Sequence, residues 1–178
     1  MRPLVPLKLD LPKATFSAEA SDLPFSNACF LHAGQVYIST EGQFISIILG
    51  SCVAVCVWDS TSGIGGATHF LLPIWDGRNA SSPRYGDVAV SMLLQRLLEA
   101  GADRNQLRAK VFGGGCLFDS ARQQASHQEP HLGSRNVEIA MEMLNKARIT
   151  VVSKVVGANR GQRIRFRTDT GEAAIKVL

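Results

Sequence analysis

Leu49-Gly50-Ser51-Cys52-Val53-Ala54-Val55-Cys56-Val57-Trp58, with the Asp59-Ser60-Thr61-Ser62-Gly63 that follows, decides the fold class. Val53 to Trp58 is rich in β-branched residues and reads as a strand. Residues 59–63 have turn composition, because Asp and Ser bond nearby backbone and Gly accepts unusual angles. Ala67 to Leu72 is apolar again and reads as the return strand of a hairpin. Upstream, Val36 to Ser39 and Phe44 to Leu49 read as strands, with Glu41-Gly42 as the turn between them. Downstream, Arg84 to Ala100 is the clearest helix. Val88, Met92, Leu93, Leu97 and Leu98 recur at three- and four-residue spacing, and Gly101 stands where a C-cap belongs. Leu107 to Phe112 is a strand running into Gly113-Gly114-Gly115. A second helix is expected over about Asn136 to Ala147, with Ser134 as N-cap. Strands at Ile149 to Val156, Arg163 to Arg167 and Ala173 to Val177 complete the pattern. Short turns join most strands, and strand clusters flank two helices. That predicts an α+β single domain of largely antiparallel β-sheets packed with two main helices.

The 178 residues, 46% hydrophobic and 19% charged, suffice for one buried core. A disordered chain, a coiled coil and a collagen-like repeat are all excluded by this composition. Phe44 to Trp58, the longest apolar stretch, is interrupted by Ser46, Gly50 and Ser51. It is shorter than the roughly 20 residues of a membrane-spanning helix. The start lacks the apolar run of a secretory signal, so a cytoplasmic protein without membrane insertion is expected. Residues 1–33 hold four of the seven prolines and read as an N-terminal arm or irregular lead-in; 34–178 form the domain.

Net charge is +4, a bias that selects no partner by itself. In Arg163-Ile164-Arg165-Phe166-Arg167 a strand would set all three arginines on one face. This is a solvated outer face or a docking patch for an acidic partner; no nucleic-acid motif accompanies it. A cytosolic chain keeps its four cysteines reduced. Cys52 and Cys56 lie about 13 Å apart along a strand, too far for a disulfide or one zinc ion. His127 and His131 have zinc-like spacing but no ligating pair nearby, so no metal is expected.

The densest chemistry lies at Gly50-Ser51-Cys52. Gly50 permits a sharp bend, and a cysteine opening a strand after it can present its sulfur and its own N–H together. A base is needed, because an unperturbed thiol is mostly protonated at neutral pH. A hairpin closing on Ser60-Thr61 sets His69 directly opposite Cys52; a slip of two residues leaves them diagonal neighbours about 7–8 Å apart. Against this stands the plain reading of a small buried thiol and a half-buried imidazole. Gly113-Gly114-Gly115 lacks the phosphate-loop pattern and suggests a tight backbone approach near the site.

At these residues the chain resembles the CheD family, the chemoreceptor glutamine deamidases of bacterial chemotaxis. The likeness runs from about Ile45 to the C-terminus. It rests on Leu49-Gly50-Ser51-Cys52-Val53 with Cys56, and on Gly65-Gly66 with His69-Phe70 and Leu72-Pro73. Further blocks are Lys110-Val111-Phe112-Gly113-Gly114, Gly133-Ser134-Arg135-Asn136-Val137, and Arg163-Ile164-Arg165-Phe166 with Thr170-Gly171-Glu172. The resemblance implies Cys52 as nucleophile and His69 as base. It implies that the hydroxyl residue orienting the histidine, typically threonine, is Ser46 here. Gly113, Gly114 and Phe118 fall on the family's substrate- and partner-binding surface. Gly115-Cys116 departs from the family's Gly-Gly-Ala-Asn. The implied reaction is hydrolysis of a glutamine side-chain amide through a thioester, with no cofactor. Implied partners are cytoplasmic helices of methyl-accepting chemotaxis receptors and a CheC-type phosphatase. Two other readings stay open: a binding module that docks such a phosphatase or receptor helices, with catalysis secondary, a partnership the resemblance implies; and a Cys–His protease or acyl transferase.

Overall fold

In the computed structural model, which describes residues 28–116 and 131–178, the hairpin read from the sequence lies at the centre. The elements run β1 (Ala28–Phe30), β2 (Gln35–Ser39), β3 (Phe44–Leu49), β4 (Val53–Asp59), β5 (Ile64–Phe70), α1 (Gly86–Glu99), β6 (Arg108–Gly113), α2 (Leu132–Lys146), β7 (Thr150–Val156), β8 (Gln162–Arg167) and β9 (Ala173–Val177). A five-stranded sheet has the order β2-β5-β4-β6-β7, and a four-stranded sheet the order β1-β3-β8-β9. Pairing is antiparallel except at β1–β3 and β6–β7. The result is the expected α+β domain. Phe118, His127 and residues 1–27 lie outside the described residues.

Strand alternation builds the layers. Every residue of β4 is buried, so this strand is covered on both faces. Val53, Val55 and Val57 face α1 and α2, meeting Leu93, Leu97 and Leu144. Ala54, Cys56 and Trp58 face the other way, onto Ile45, Ile47, Ile164 and Phe166 of the four-stranded sheet. The helices, the larger sheet and the smaller sheet therefore stack as three layers around two cores. Each fully buried leucine contributes about 2 kcal/mol by removing its apolar surface from water.

Three local readings are refined. The Glu41-Gly42 turn does not close a hairpin, because β2 pairs with β5 while β3 pairs with β8. It carries the chain from one sheet to the other, anchored where Thr168 Oγ1 accepts the Gln43 N–H and donates to the Glu41 carbonyl. Periodicity marks a strand but does not name its neighbour. Helix α2 begins at Leu132, four residues before the expected start, and its N-cap is His131 rather than Ser134. The His131 Nδ1 accepts from Gly133 and Ser134 N–H at 2.8 and 3.3 Å, doing what a Ser or Asp oxygen does at most helix starts. Finally, the end of the lead-in enters the domain: β1 pairs parallel with β3, and Leu31 is buried between the sheets.

Arg163, Arg165 and Arg167 alternate with the inward Ile164 and Phe166, as their spacing predicts. Arg165 and Arg167 stack on Phe44, with guanidinium carbons 3.9 and 5.4 Å from the ring centre. Arg167 also pairs with Asp169 at 2.7 Å.

Candidate active site

The turn between β4 and β5 sets the geometry. Asp59 accepts from Thr61 N–H at 2.8 Å and Ser62 Oγ at 2.8 Å, and its carbonyl takes Gly63 N–H. Gly63 adopts φ +74, the left-handed conformation that closes such a loop without a Cβ penalty. The loop spans residues 60–63, because Asp59 pairs with Ile64. It is thus longer than a two-residue turn on Ser60-Thr61, and the register moves by two. His69 faces Ala54, and Phe70 faces Val53.

Cys52 stands one residue before β4, so the ladder continued past Val53 would set it diagonally across from His69, on the face that carries Ala54 and Cys56, where diagonal neighbours of a regular sheet are about 7–8 Å apart. Cys52 packs against the inter-sheet core. Cys56, on the same face, is fully buried; burial pushes its thiol pKa far above the usual range. It is a core residue.

His69 is 5% exposed. Its Nδ1 lies 3.3 Å from the Leu31 carbonyl oxygen. A carbonyl can only accept, so Nδ1 carries the proton and Nε2 presents its lone pair. No described group bonds Nε2. Burial lowers the His69 pKa, the Leu31 hydrogen bond opposes that in part, and nearby His32 lowers it further. Cys52 is raised, chiefly by burial, while its own N–H facing the sulfur pulls the other way. Both shifts favour the neutral forms, a thiol and an imidazole, and Nε2 has no described partner.

The structure does not bring the Ser46 hydroxyl to His69. Ser46 alternates with the inward Ile45 and Ile47, so its side chain turns to the opposite face of β3. Its carbonyl accepts the Leu31 N–H at 2.9 Å, which links it to His69 through the backbone only. Leu31 was not legible as a site residue, because a main-chain carbonyl leaves no mark in side-chain chemistry. Gly113 and Gly114 make the close approach their run suggests. Gly114 N–H donates to the Cys52 carbonyl at 2.8 Å, and Gly115 N–H to the Gly50 carbonyl at 2.8 Å. A Cβ on Gly113 would collide with the Cys52 carbonyl oxygen, and one on Gly114 would sit 2.8 Å from the Gly133 oxygen. Phe118 lies outside the described residues. Among them no cluster of three or more His, Cys, Asp or Glu could hold a metal, and no helix is long and apolar enough to cross a membrane.

Comparison with known proteins adds the following. The family model CheD, described as CheD chemotactic sensory transduction, matches residues 71–177. A protein of Trichlorobacter lovleyi described as "Probable chemoreceptor glutamine deamidase CheD" is 41% identical over 142 residues, covering 80% of this chain and 85% of that one. One of Anaeromyxobacter dehalogenans, "Probable chemoreceptor glutamine deamidase CheD 1", is 42% identical over 149 residues, 84% of each chain. Among solved structures, the hypothetical protein YfiH of Bacillus licheniformis is similar at 18% identity and a TM-score of 0.38, covering 67% of this chain and 51% of that one.

Proposed function

The chain belongs to the CheD family, and from that membership we infer that it is a chemoreceptor glutamine deamidase. Its substrates are glutamine side chains of methyl-accepting chemotaxis receptors, which it converts to glutamate. The observation that carries the chemical assignment is the buried His69, its Nδ1 held by the Leu31 carbonyl and its Nε2 unpartnered on the face that bears Cys52. A general base needs that tautomer and a dry, oriented lone pair.

His69 Nε2 takes the Cys52 thiol proton as the sulfur attacks the glutamine side-chain carbonyl carbon. The carbonyl oxygen becomes an oxyanion, facing the Cys52 N–H. Collapse breaks the C–N bond, and the imidazolium returns its proton to the leaving nitrogen, which departs as ammonia. Water, deprotonated by His69, then cleaves the thioester, leaving glutamate and the free thiol. The overall change is amide plus water to acid plus ammonia, and it calls on no cofactor. The orienting role expected of Ser46 passes to the Leu31 carbonyl, with Ser46 acting through the strand pairing that fixes Leu31.

The site is then cytoplasmic, because the receptor's helical signalling segment is its substrate. A CheC-type phosphatase is the second partner we propose, on resemblance alone. The reading as a binding module with catalysis secondary is not favoured by relatives described as deamidases.

The test is peptide mass spectrometry of a receptor cytoplasmic fragment incubated with the wild-type protein or Cys52→Ala. Glutamine-to-glutamate conversion at defined sites, absent with the variant, is the expected result. Conversion that survives Cys52→Ala would overturn the nucleophile, and a wild-type protein that binds receptor without converting it would overturn the activity.

A further inference from the structure

Beyond Val53 and Phe70 the two central strands part. Leu71 and Leu72 N–H both turn to the Arg84 carbonyl, while Cys52 and Gly50 carbonyls turn to the glycine run after β6. The ladder that fixes the hairpin therefore ends one residue short of the nucleophile. Into the gap reaches Asn136, from the first turns of α2. It is 0% exposed. Its Nδ2 donates to the Ser51 carbonyl at 3.2 Å and to the Leu71 carbonyl at 2.9 Å. Two carbonyl acceptors leave no choice of amide orientation. Ser51 immediately precedes Cys52, and Leu71 follows His69 by two residues.

We propose that Asn136 is a positioning residue of the active site: its amide replaces the missing rung of the ladder and sets the distance from Cys52 to His69. The proposal rests on the Cys52–His69 reading above. Three observations support it together. The first is the bridge itself, which spans the two segments that carry sulfur and base and touches neither reacting atom. The second is the acceptor end of the same side chain. Asn136 Oδ1 is buried and meets no described donor, a desolvation cost that an apolar residue would avoid. A position that served packing alone would not keep it. The third is how the helix is held: the Gly114 and Gly133 backbones cross so closely that a Cβ on either would strike the other's carbonyl. The start of α2 is fixed to the strand end whose N–H holds the Cys52 carbonyl, so Asn136 acts from a rigid base.

The experiment uses the full chain and two readouts: receptor-fragment deamidation, and alkylation of Cys52 by iodoacetamide, followed on the Cys52 peptide across pH. Asn136→Ala removes the bridge. Asn136→Asp keeps the shape but offers oxygen where two carbonyls need a donor. Leu144→Ala, a buried residue further along the same helix, supplies a variant destabilised without touching the bridge. His69→Ala defines the rate of a cysteine without its base. We expect both Asn136 variants to lose about 30- to 100-fold in deamidation, the scale of a misplacement of about 1 Å. Their Cys52 alkylation should fall to the His69→Ala rate and lose its His69-dependent pH limb. Adding His69→Ala to Asn136→Ala should then cost nothing further. Leu144→Ala should keep both properties per folded molecule. Asn136 variants that alkylate and titrate like the wild type would overturn the proposal, as would equal losses from Leu144→Ala. Should the wild type alkylate as described yet convert no receptor glutamine, the activity fails while the positioning role stands or falls on alkylation alone.

Discussion

Replacing Gly113 with alanine tests whether the glycine run is there to let β6 touch the nucleophile loop. Gly113 has φ +100, well beyond what an L side chain adopts without strain, at about 1–3 kcal/mol. The added methyl also points at the Cys52 carbonyl oxygen, with Leu49 Cδ1 3.3 Å away on another side. Backbone or leucine must shift against a packed core to admit it, so a further ~1–3 kcal/mol of overpacking is added. A total near 4 kcal/mol is a large share of the roughly 5–15 kcal/mol that stabilises a domain. For a chain of this size it lowers Tm by about 8–16 °C. Gly63→Ala is the reference. Gly63 has φ +74 with nothing within 4 Å of a Cβ, so it bears the conformational cost alone, ~1 kcal/mol and about 2–4 °C. Thermal melts of the two variants and receptor deamidation measured well below each Tm separate the contributions. Gly113→Ala should melt well below Gly63→Ala and lose activity even where it is folded, because relief of the collision moves the Cys52 carbonyl. Equal melting of the two variants with full activity in Gly113→Ala would refute the reasoning.

The remaining expectations are smaller. Burial lowers the His69 pKa from its ordinary 6.5, so the base stays neutral to lower pH, and the acid limb of kcat/KM should lie below that value. The unfolded chain takes up the His69 proton first. That contribution to stability is therefore present above about pH 6.5 and declines as pH falls toward the folded-state pKa, which urea unfolding across pH 5 to 7 would show. Ser46→Ala should keep deamidation within about threefold, under ~0.7 kcal/mol of transition-state stabilisation; a loss of about 100-fold would return the orienting role to the hydroxyl. Asp59→Ala removes acceptors of the Thr61 and Asp103 N–H groups. It should cost about 2–3 kcal/mol, read as a lower Tm with the activity of the folded protein retained.

Much of this molecule can be read from its letters, for local reasons. The β4–β5 hairpin is legible because Asp59, Ser62 and Gly63 make their turn among themselves. Helix α1 is legible because its apolar stripe and Gly101 lie within one segment. Cys52 and His69 come within reach of each other from hairpin arithmetic, although the turn's own hydrogen bonds decide between direct and diagonal opposition. What eludes the sequence is long-range. Nothing in Phe44–Leu49 announces that its partner is Gln162–Arg167, nor does Ala28–Phe30 declare itself a parallel edge strand. His131 caps α2 with a ring nitrogen, which propensity does not anticipate. Leu31 serves through its backbone, and Asn136 stands far along the chain from both segments it joins. Family resemblance assigns a hydroxyl at Ser46, whereas His69 Nδ1 meets the main-chain carbonyl of Leu31, whose N–H donates to the Ser46 carbonyl.

The pairing of β3 with β8 has a consequence during synthesis. Phe44-Ile45-Ser46-Ile47-Ile48-Leu49 carries no charge and no proline, the composition of a segment that self-associates when left open. At roughly 5–20 residues per second on the ribosome, its partner Gln162–Arg167 emerges on the order of ten seconds later. Through that interval β3 has only the three residues of β1 as a hydrogen-bonded strand partner. Expression yield should therefore depend on keeping nascent chains apart, and it should fall first when translation is driven hard. A charge at Ile48, 39% exposed in the finished fold, would blunt this hazard with little disturbance to the folded protein.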